Sequence, residues 1–196
     1  MTVLKMPLET ERLLLRPFEA SDIDAMMAYQ ALPEVQRYLD WKARDKIEVT
    51  QALAAMRNQI TLQRPGDTLS LAVVRRSDGM LLGHVSLRWA DAAAAQAEIR
   101  FVVNPAYRGK GYATEAVRRL IGVAFDHFRI HRIFARCDAR NTRSARLMTR
   151  LGMRLEAHYR EHALFKGEWD EELHFAILDR EWMRSSKVRE LHHKIA

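Results

Sequence analysis

Val103-Asn-Pro-Ala-Tyr-Arg-Gly-Lys-Gly-Tyr-Ala-Thr114 is the stretch that decides the fold. The apolar run Ala97 to Val103 reads as a buried strand, and Asn104-Pro105 stops it. Arg108 to Ala113 is a glycine-rich loop. Directly after it, apolar residues at 113, 116, 117, 120, 121, 124, 125 and 128 keep the three-four spacing of a buried helical face. A strand therefore feeds a glycine loop that opens a helix. The first turn of a helix presents unsatisfied N–H groups and the positive end of its dipole. Glycine lets that backbone take positive φ and approach a ligand closely. The arrangement suits phosphate or pyrophosphate, with Arg108 and Lys110 adding charge. The nucleotide pattern G-x-x-x-x-G-K-[ST] is absent, and so is the dinucleotide pattern G-x-G-x-x-G. Taken alone, the loop names an anion site and no reaction.

Towards the N-terminus, Arg12-Leu-Leu-Leu-Arg16 reads as a short strand ended by Pro17. Ser21-Asp-Ile-Asp24 marks a helix start with Ser21 as N-cap, and Ile23, Met26, Met27 and Leu32 give its apolar face. Lys46 to Gln63 reads as a second helix, carried by Val49, Leu53, Met56 and Ile60, and Arg64-Pro-Gly-Asp67 ends it. Thr68 to Arg75 and Leu81 to Trp89 form a hairpin about Ser77-Asp-Gly79. Asp91 to Gln96 is a loop. Towards the C-terminus, Arg132 to Asp138 is a strand. Ser144 to Leu151 is a short helix capped by Asn141 or Thr142, with Gly152 at C′. Met153 to Glu161 and Glu172 to Leu178 are the last strands, joined by a loop through Lys166-Gly-Glu-Trp169. The expected fold is a single α/β (α+β) domain with a mixed, mostly antiparallel sheet and flanking helices.

Composition sets the outer limits. The chain has 196 residues, of which 29% are charged, and a formal net charge of +7. That length suits one domain, read as residues 1–180, with a basic helical extension over 181–196. Cys137 is the only cysteine, so no intramolecular disulfide forms. No apolar run is long enough for a membrane span, and Met1-Thr-Val-Leu-Lys-Met-Pro7 lacks the apolar core of a secretory signal. A cytoplasmic location is the expectation. The histidines show no H-E-x-x-H spacing and no cysteine partner, so no metal site is expected. No nucleic-acid recognition motif accompanies the positive charge.

Arg108-Gly-Lys-Gly-Tyr-Ala113 matches the [QR]-x-x-G-x-[GA] motif of acyl-CoA binding, and the chain resembles the GNAT acetyltransferase superfamily. Within it, the closest resemblance is to the ribosomal-protein N-terminal acetyltransferases, the RimJ/RimL-like branch. Leu8-Glu-Thr-Glu-Arg-Leu-Leu-Leu-Arg-Pro17, Ala97-Glu-Ile-Arg-Phe-Val-Val-Asn-Pro105, Asn141-Thr-Arg-Ser144 and Leu151-Gly-Met153 carry the rest of the likeness, which covers nearly the whole chain.

The resemblance implies an N-acetyltransferase that moves acetyl from acetyl-CoA to a primary amine, a protein N-terminus by analogy with that branch. Small amines such as antibiotics or polyamines are the alternative acceptors, and a non-catalytic acyl-CoA binder is a third reading. A splayed central strand pair is implied, with the donor's pantetheine arm lying along main-chain groups of Phe101, Val102 and Val103. The pyrophosphate is expected on the amides of Arg108, Gly109, Lys110, Gly111, Tyr112 and Ala113, with Thr114 nearby. Asn141 matches a position that binds the donor's arm. Glu98 is the expected general base, acting through water. Many relatives place an acidic tyrosine where this chain has Met148, which cannot donate a proton. Ser144 is the expected substitute, with Tyr159 a weaker one. Cys137 is read as a packing residue. Trp41 and Trp169 are expected as walls of the acceptor pocket. The resemblance also allows a homodimer.

Overall fold

A computed structural model describes residues 4–39, 41 and 44–185. Eight strands form one mixed sheet: β1 (Leu8–Glu9), β2 (Leu13–Arg16), β3 (Thr68–Arg75), β4 (Leu81–Asp91), β5 (Gln96–Val103), β6 (Arg132–Asp138), β7 (Arg154–Phe165) and β8 (Glu168–Leu178). Their spatial order is β1-β2-β3-β4-β5-β6-β8-β7. Only β5 and β6 run parallel. The helices are α1 (Ile23–Gln30), α2 (Pro33–Gln36), α3 (Lys46–Asn58), α4 (Tyr112–Asp126) and α5 (Thr142–Arg150).

Alternation along the strands creates two unlike faces. Leu69, Leu71, Val85, Leu87 and Ile99 point to one side, where α4 buries Val117, Leu120, Ile121 and Ala124 against them. The apolar stripe read from the sequence is that buried face. Ala72 and Val74 sit beneath a second, smaller core built from Phe18, Met26, Tyr29, Val49 and Leu53. This second layer covers only the β2–β4 end of its face. Beyond it the same face carries Arg88, Glu98, Arg100 and Arg136.

The strands expected at Thr68, Leu81, Ala97 and Arg132 are present, and the parallel ladder of β5 and β6 is short. It pairs Gln96, Ala97 and Glu98 with Arg132, Ile133 and Phe134 and then stops. From there the two strands splay, as the resemblance implied.

Several local expectations are corrected. The first helix is not capped by Ser21; a 3-10 turn over Ala20–Asp22 precedes α1, and a Glu19–Asp22 capping box holds it. Arg16 fixes Asp22 with two bonds of 2.8 Å, so the carboxylate is committed to this role. The second helix ends at Asn58 rather than Gln63. Ser70 draws Gln59 towards the sheet with bonds of 2.7 and 2.6 Å, and Ile60 bridges to Leu69. The long loop expected between the last strands is mostly strand. Lys166 and Gly167, with φ of 53° and 86°, close a tight hairpin between β7 and β8. Residues 179–185 are helical, and Trp182 packs on Phe125 with ring centroids 6.1 Å apart. The rest of the expected basic extension, residues 186–196, lies outside the described residues.

Candidate active site

The donor loop is shaped by its backbone. Gly109 and Gly111 have φ of 79° and 81°, in the left-handed region that side chains disfavour. Gly111 is the N-cap of α4, and no side chain caps that helix. The first-turn N–H groups therefore face outward without an intrahelical partner. From the opposite side, Arg12 pins the loop. It pairs with Glu115 at 2.6 Å, donates to the Lys110 carbonyl at 3.0 Å and lies 4.7 Å from the centre of the Tyr112 ring. Thr10 adds a hydroxyl bond to Glu115 at 2.6 Å. Burial alone would raise the Glu115 pKa, but the bonds from Thr10 and Arg12 outweigh it and hold the carboxyl ionised.

A cavity of about 1300 Å³ runs from this loop to α2. The expected donor-binding residues other than Lys110 line it, together with Ser144; Glu98, Tyr159, Trp41 and Trp169 do not. Eight arginines and three glutamates share the lining, so its formal balance is +5. Arg108 reaches across to α2 and pairs with Glu34 at 3.1 Å. Asn141 caps α5 by accepting the Ser144 N–H at 3.2 Å, which leaves its amide N–H groups available as donors. Ser144 stands in the first turn of α5 and faces the cavity.

The floor of this cleft is the splay itself. Beyond Glu98, the facing edges of β5 and β6 no longer pair. Their backbone groups can serve an extended ligand lying between them like a missing strand. Gly83 keeps the neighbouring strand close. A Cβ there would lie 2.1 Å from the Val102 carbonyl oxygen, so no larger residue fits beside this stretch of β5. The isolated glycine inside a strand pattern was the available sequence signal for it.

Glu98 is 2% exposed and lies at the base of the splay. Its carboxylate accepts from Arg88 at 3.1 Å, from Arg100 at 3.0 Å and from Arg136 at 3.0 and 3.1 Å. Burial opposes ionisation here. The hydrogen bond and charge of Arg100, the charge of Arg136 and the bond from Arg88 outweigh it, holding the carboxyl below the ordinary glutamate range. Such a carboxylate is a weaker base than a free one, and its lone pairs are already engaged.

Met148 is buried in the main core, which agrees with its having no proton to give. Tyr159 is partly exposed on β7 and meets His174 edge-on, with centroids 4.8 Å apart. His174 shares a 2.5 Å bond with Glu172. Burial, with Asp138 and Glu172 nearby, pushes the Cys137 thiol up to about 12, so it is not a reactive thiolate at neutral pH. Trp41 carries Arg44 over its ring at 4.4 Å. Trp169 is exposed and borders a separate small cavity with Ala139, Arg140 and Glu171. Lys166, at the tip of the β7–β8 hairpin, donates to the carbonyls of Gln36 and Trp41 at 2.7 and 3.2 Å. The hairpin tip thereby touches the α2 segment. Among the described residues no cluster could hold a metal ion, and no helix is long and apolar enough to cross a membrane.

Comparison with known proteins agrees with this geometry. Residues 12–154 match the model of the acetyltransferase (GNAT) domain. An uncharacterized N-acetyltransferase of Bacillus subtilis, YnaD, is 32% identical over 90% of this chain and 99% of its own. The crystal structure of a GNAT-family acetyltransferase from Bacillus anthracis superposes with a TM-score of 0.80 at 29% identity, covering 89% of this chain and 99% of that one. Relatives with named acceptors diverge. A putative ribosomal N-acetyltransferase of Bacillus subtilis, YdaF, is 30% identical over 54% of this chain and 57% of its own. A spermidine N-acetyltransferase from Vibrio cholerae, solved with CoA and spermine, has a TM-score of 0.75 at 18% identity, covering 89% of this chain and 99% of that one.

Proposed function

The chain belongs to the GNAT acetyltransferases and is an acetyl-CoA-dependent N-acetyltransferase, and from that premise we propose that its acceptor is the N-terminal amine of a protein. The observation that carries this reading is the basic, two-ended cleft. A balance of +5 suits the phosphates of the donor, and two of the three lining glutamates are already paired with Arg12 and Arg108, which leaves little to hold a polycationic acceptor such as a polyamine. An extended peptide end carries only its own amine charge into the cleft. The ribosomal relative supports the same acceptor class.

The donor supplies an acyl group already activated as a thioester, so the chain needs to bind, orient and move protons. The α4 N-terminus and Gly109–Gly111 fit a pyrophosphate, because they combine open space, free N–H groups and a positive dipole end. Main-chain groups of Phe101, Val102 and Val103 would hold the pantetheine arm in the splay. Asn141 would add a donor hydrogen bond from its free amide. Transfer forms an amide C–N bond and breaks a C–S bond; the amine gives up a proton and the departing sulfur takes one. Ser144, at the start of α5, would donate to that sulfur, aided by the helix dipole. Glu98 acts here as an electrostatic anchor rather than the proton acceptor first expected, because three guanidiniums already hold it. The amine can enter deprotonated from solvent, aided by the positive field of the arginines, which favours the neutral amine.

Measured CoA release with N-terminal peptides, polyamines and aminoglycosides tests the assignment. Turnover of peptides with little or none of the polycations is the expected result. Efficient turnover of spermidine, with no peptide accepted, would overturn it.

A further inference from the structure

The donor loop leans on an ion pair that the transfer step itself does not use. Glu115 stands in the first turn of α4, four residues after the Gly111 N-cap. Along the helix that is about 6 Å, at 1.5 Å per residue. A carboxylate there and a bound pyrophosphate compete for the same positive helix end. They also repel each other, because charges are screened only beyond about 10 Å at 0.1 M salt. A negative charge this close to a phosphate site has to be offset.

Arg12, just before β2, supplies the offset. Its Nε–H donates to Glu115 Oε2 at 2.7 Å, and a terminal nitrogen lies 2.6 Å from the same oxygen. Oε1 is held separately, by the Thr10 hydroxyl at 2.6 Å and the Arg12 backbone N–H at 2.9 Å. Arg76 fixes the same turn by donating to the Thr10 carbonyl at 2.9 Å. The bonds to Oε1 do not need the guanidinium. Shortening the Arg12 side chain therefore leaves the carboxylate seated and its charge unmasked.

The same guanidinium sets the backbone of the loop. Its other terminal nitrogen donates to the Lys110 carbonyl at 3.0 Å. The peptide joining Lys110 to Gly111 is planar and trans, so its N–H points away from the carbonyl and away from Arg12. Gly111, with φ of 81°, leaves such a peptide free to turn over, which would aim the carbonyl oxygen at the phosphate instead. Arg12, Gly111 and Glu115 all line the large cavity. We propose that Arg12 is a positioning residue for the donor, holding the Gly111 N–H toward the pyrophosphate and masking the Glu115 charge beside it. The inference rests on the pyrophosphate placement given above and makes no use of the acceptor.

Isothermal titration with CoA, at low and raised salt, provides the test. Thermal melting first establishes that each variant is folded. Arg12→Gln should weaken CoA at least about tenfold at low salt, and its ratio to wild type should shrink as salt rises. A smaller loss overturns the proposal. Adding Glu115→Gln removes the unmasked charge, so the double variant should bind CoA about threefold more tightly than Arg12→Gln alone. A deficit that neither salt nor Glu115→Gln reduces also overturns it, since a merely structural loss would behave that way. If Arg12→Gln does not fold, Glu115→Gln decides alone. CoA bound as tightly as by wild type, or more so, supports the masking, and weaker binding overturns it. If Gly111→Trp binds CoA as wild type does, the pyrophosphate placement falls and this inference with it. If Gly111→Trp loses CoA while Arg12→Gln keeps it, only this inference falls.

Discussion

The glycine loop at Arg108–Thr114 and the arginine cluster around Glu98 both concentrate positive charge, by opposite means. The donor loop works through its backbone. Its geometry comes from two left-handed glycines, a helix N-terminus and an immediate neighbour in sequence. The other site works through side chains that meet from three strands, with residues 88, 98, 100 and 136 brought together only by the sheet. A backbone site is general for phosphates and resists change. A side-chain site can be altered by single substitutions and so can carry specificity. The donor end should therefore fail all at once when its backbone is disturbed, whereas the acceptor end should change in graded steps.

The largest effect is expected at Gly111. Any side chain there must adopt φ of 81°, and its Cβ would stand 3.4 Å from the Arg12 guanidinium. Strain costs about 1–2 kcal/mol, and displacing N–H groups from a charged ligand costs about 1.5–3 kcal/mol. Gly111→Trp should weaken acetyl-CoA binding at least about 100-fold, roughly 3 kcal/mol, by isothermal titration. Binding within a few fold of wild type would show that the loop does not hold the pyrophosphate.

The second core, under α1, has its own weak point under acid. His84 is fully buried on β4 and shares a 2.9 Å bond with the Tyr29 hydroxyl from α1. Burial, with help from Arg44, pushes its pKa from 6.5 down to about 4. Between those values the unfolded chain binds a proton that the folded chain refuses. The stabilisation is complete above about 6.5 and is lost as pH falls towards 4, for a total of about 3 kcal/mol. Thermal unfolding from pH 7 to pH 4.5 should show the loss, and His84→Phe should flatten that slope. An unchanged slope in the variant would remove His84 as the cause. Hydrogen exchange should find α1 opening before α4, since only α1 rests on this pair.

This contrast also explains what could be read from sequence. The apolar periods fixed α4 and the central strands, because each was locally regular and its face was buried. The loop was legible because its glycines precede a helix rather than end one. The β7–β8 hairpin was misjudged because both its faces are largely exposed, leaving no hydrophobic alternation from residue 161 to 171. The early end of α3 depends on Ser70, which lies eleven residues from Gln59 and outside the helix pattern. Glu98 was singled out through the family resemblance, as the expected base. Its partners Arg88, Arg100 and Arg136 were not, since their convergence follows from strand order and register. Arg12–Glu115 escaped for the same reason, the two residues lying 103 positions apart.

Glu98→Gln gives an effect of intermediate size and sharpens the distinction between anchor and base. Losing one partner of a buried pair costs about 3–5 kcal/mol, but the half-exposed arginines can turn to water, so about 2 kcal/mol of stability is expected to go. Because its carboxyl ionises below the ordinary glutamate range, Glu98 should impose no titration on turnover between pH 6 and 9. The variant should lower kcat/KM and keep the wild-type shape of the pH profile. Loss of a limb from that profile would restore Glu98 as the base.

The smallest effect is expected at Lys166. Its ammonium group spans from the hairpin tip to the carbonyls of Gln36 and Trp41, on a surface open to water. Exposed bonds of this kind contribute about 0.5–1.5 kcal/mol each, and only part of that couples to ligand binding. The bonds hold the end of α2 and Trp41, and none reaches the glycines of the loop. Lys166→Ala should therefore raise the KM for a peptide acceptor by a few fold and leave acetyl-CoA affinity within error. Lys166→Arg should recover much of the loss, because a guanidinium can still reach both carbonyls. An equal weakening of donor and acceptor would mean that the hairpin tip braces the whole cleft, and the two ends would then no longer be independent.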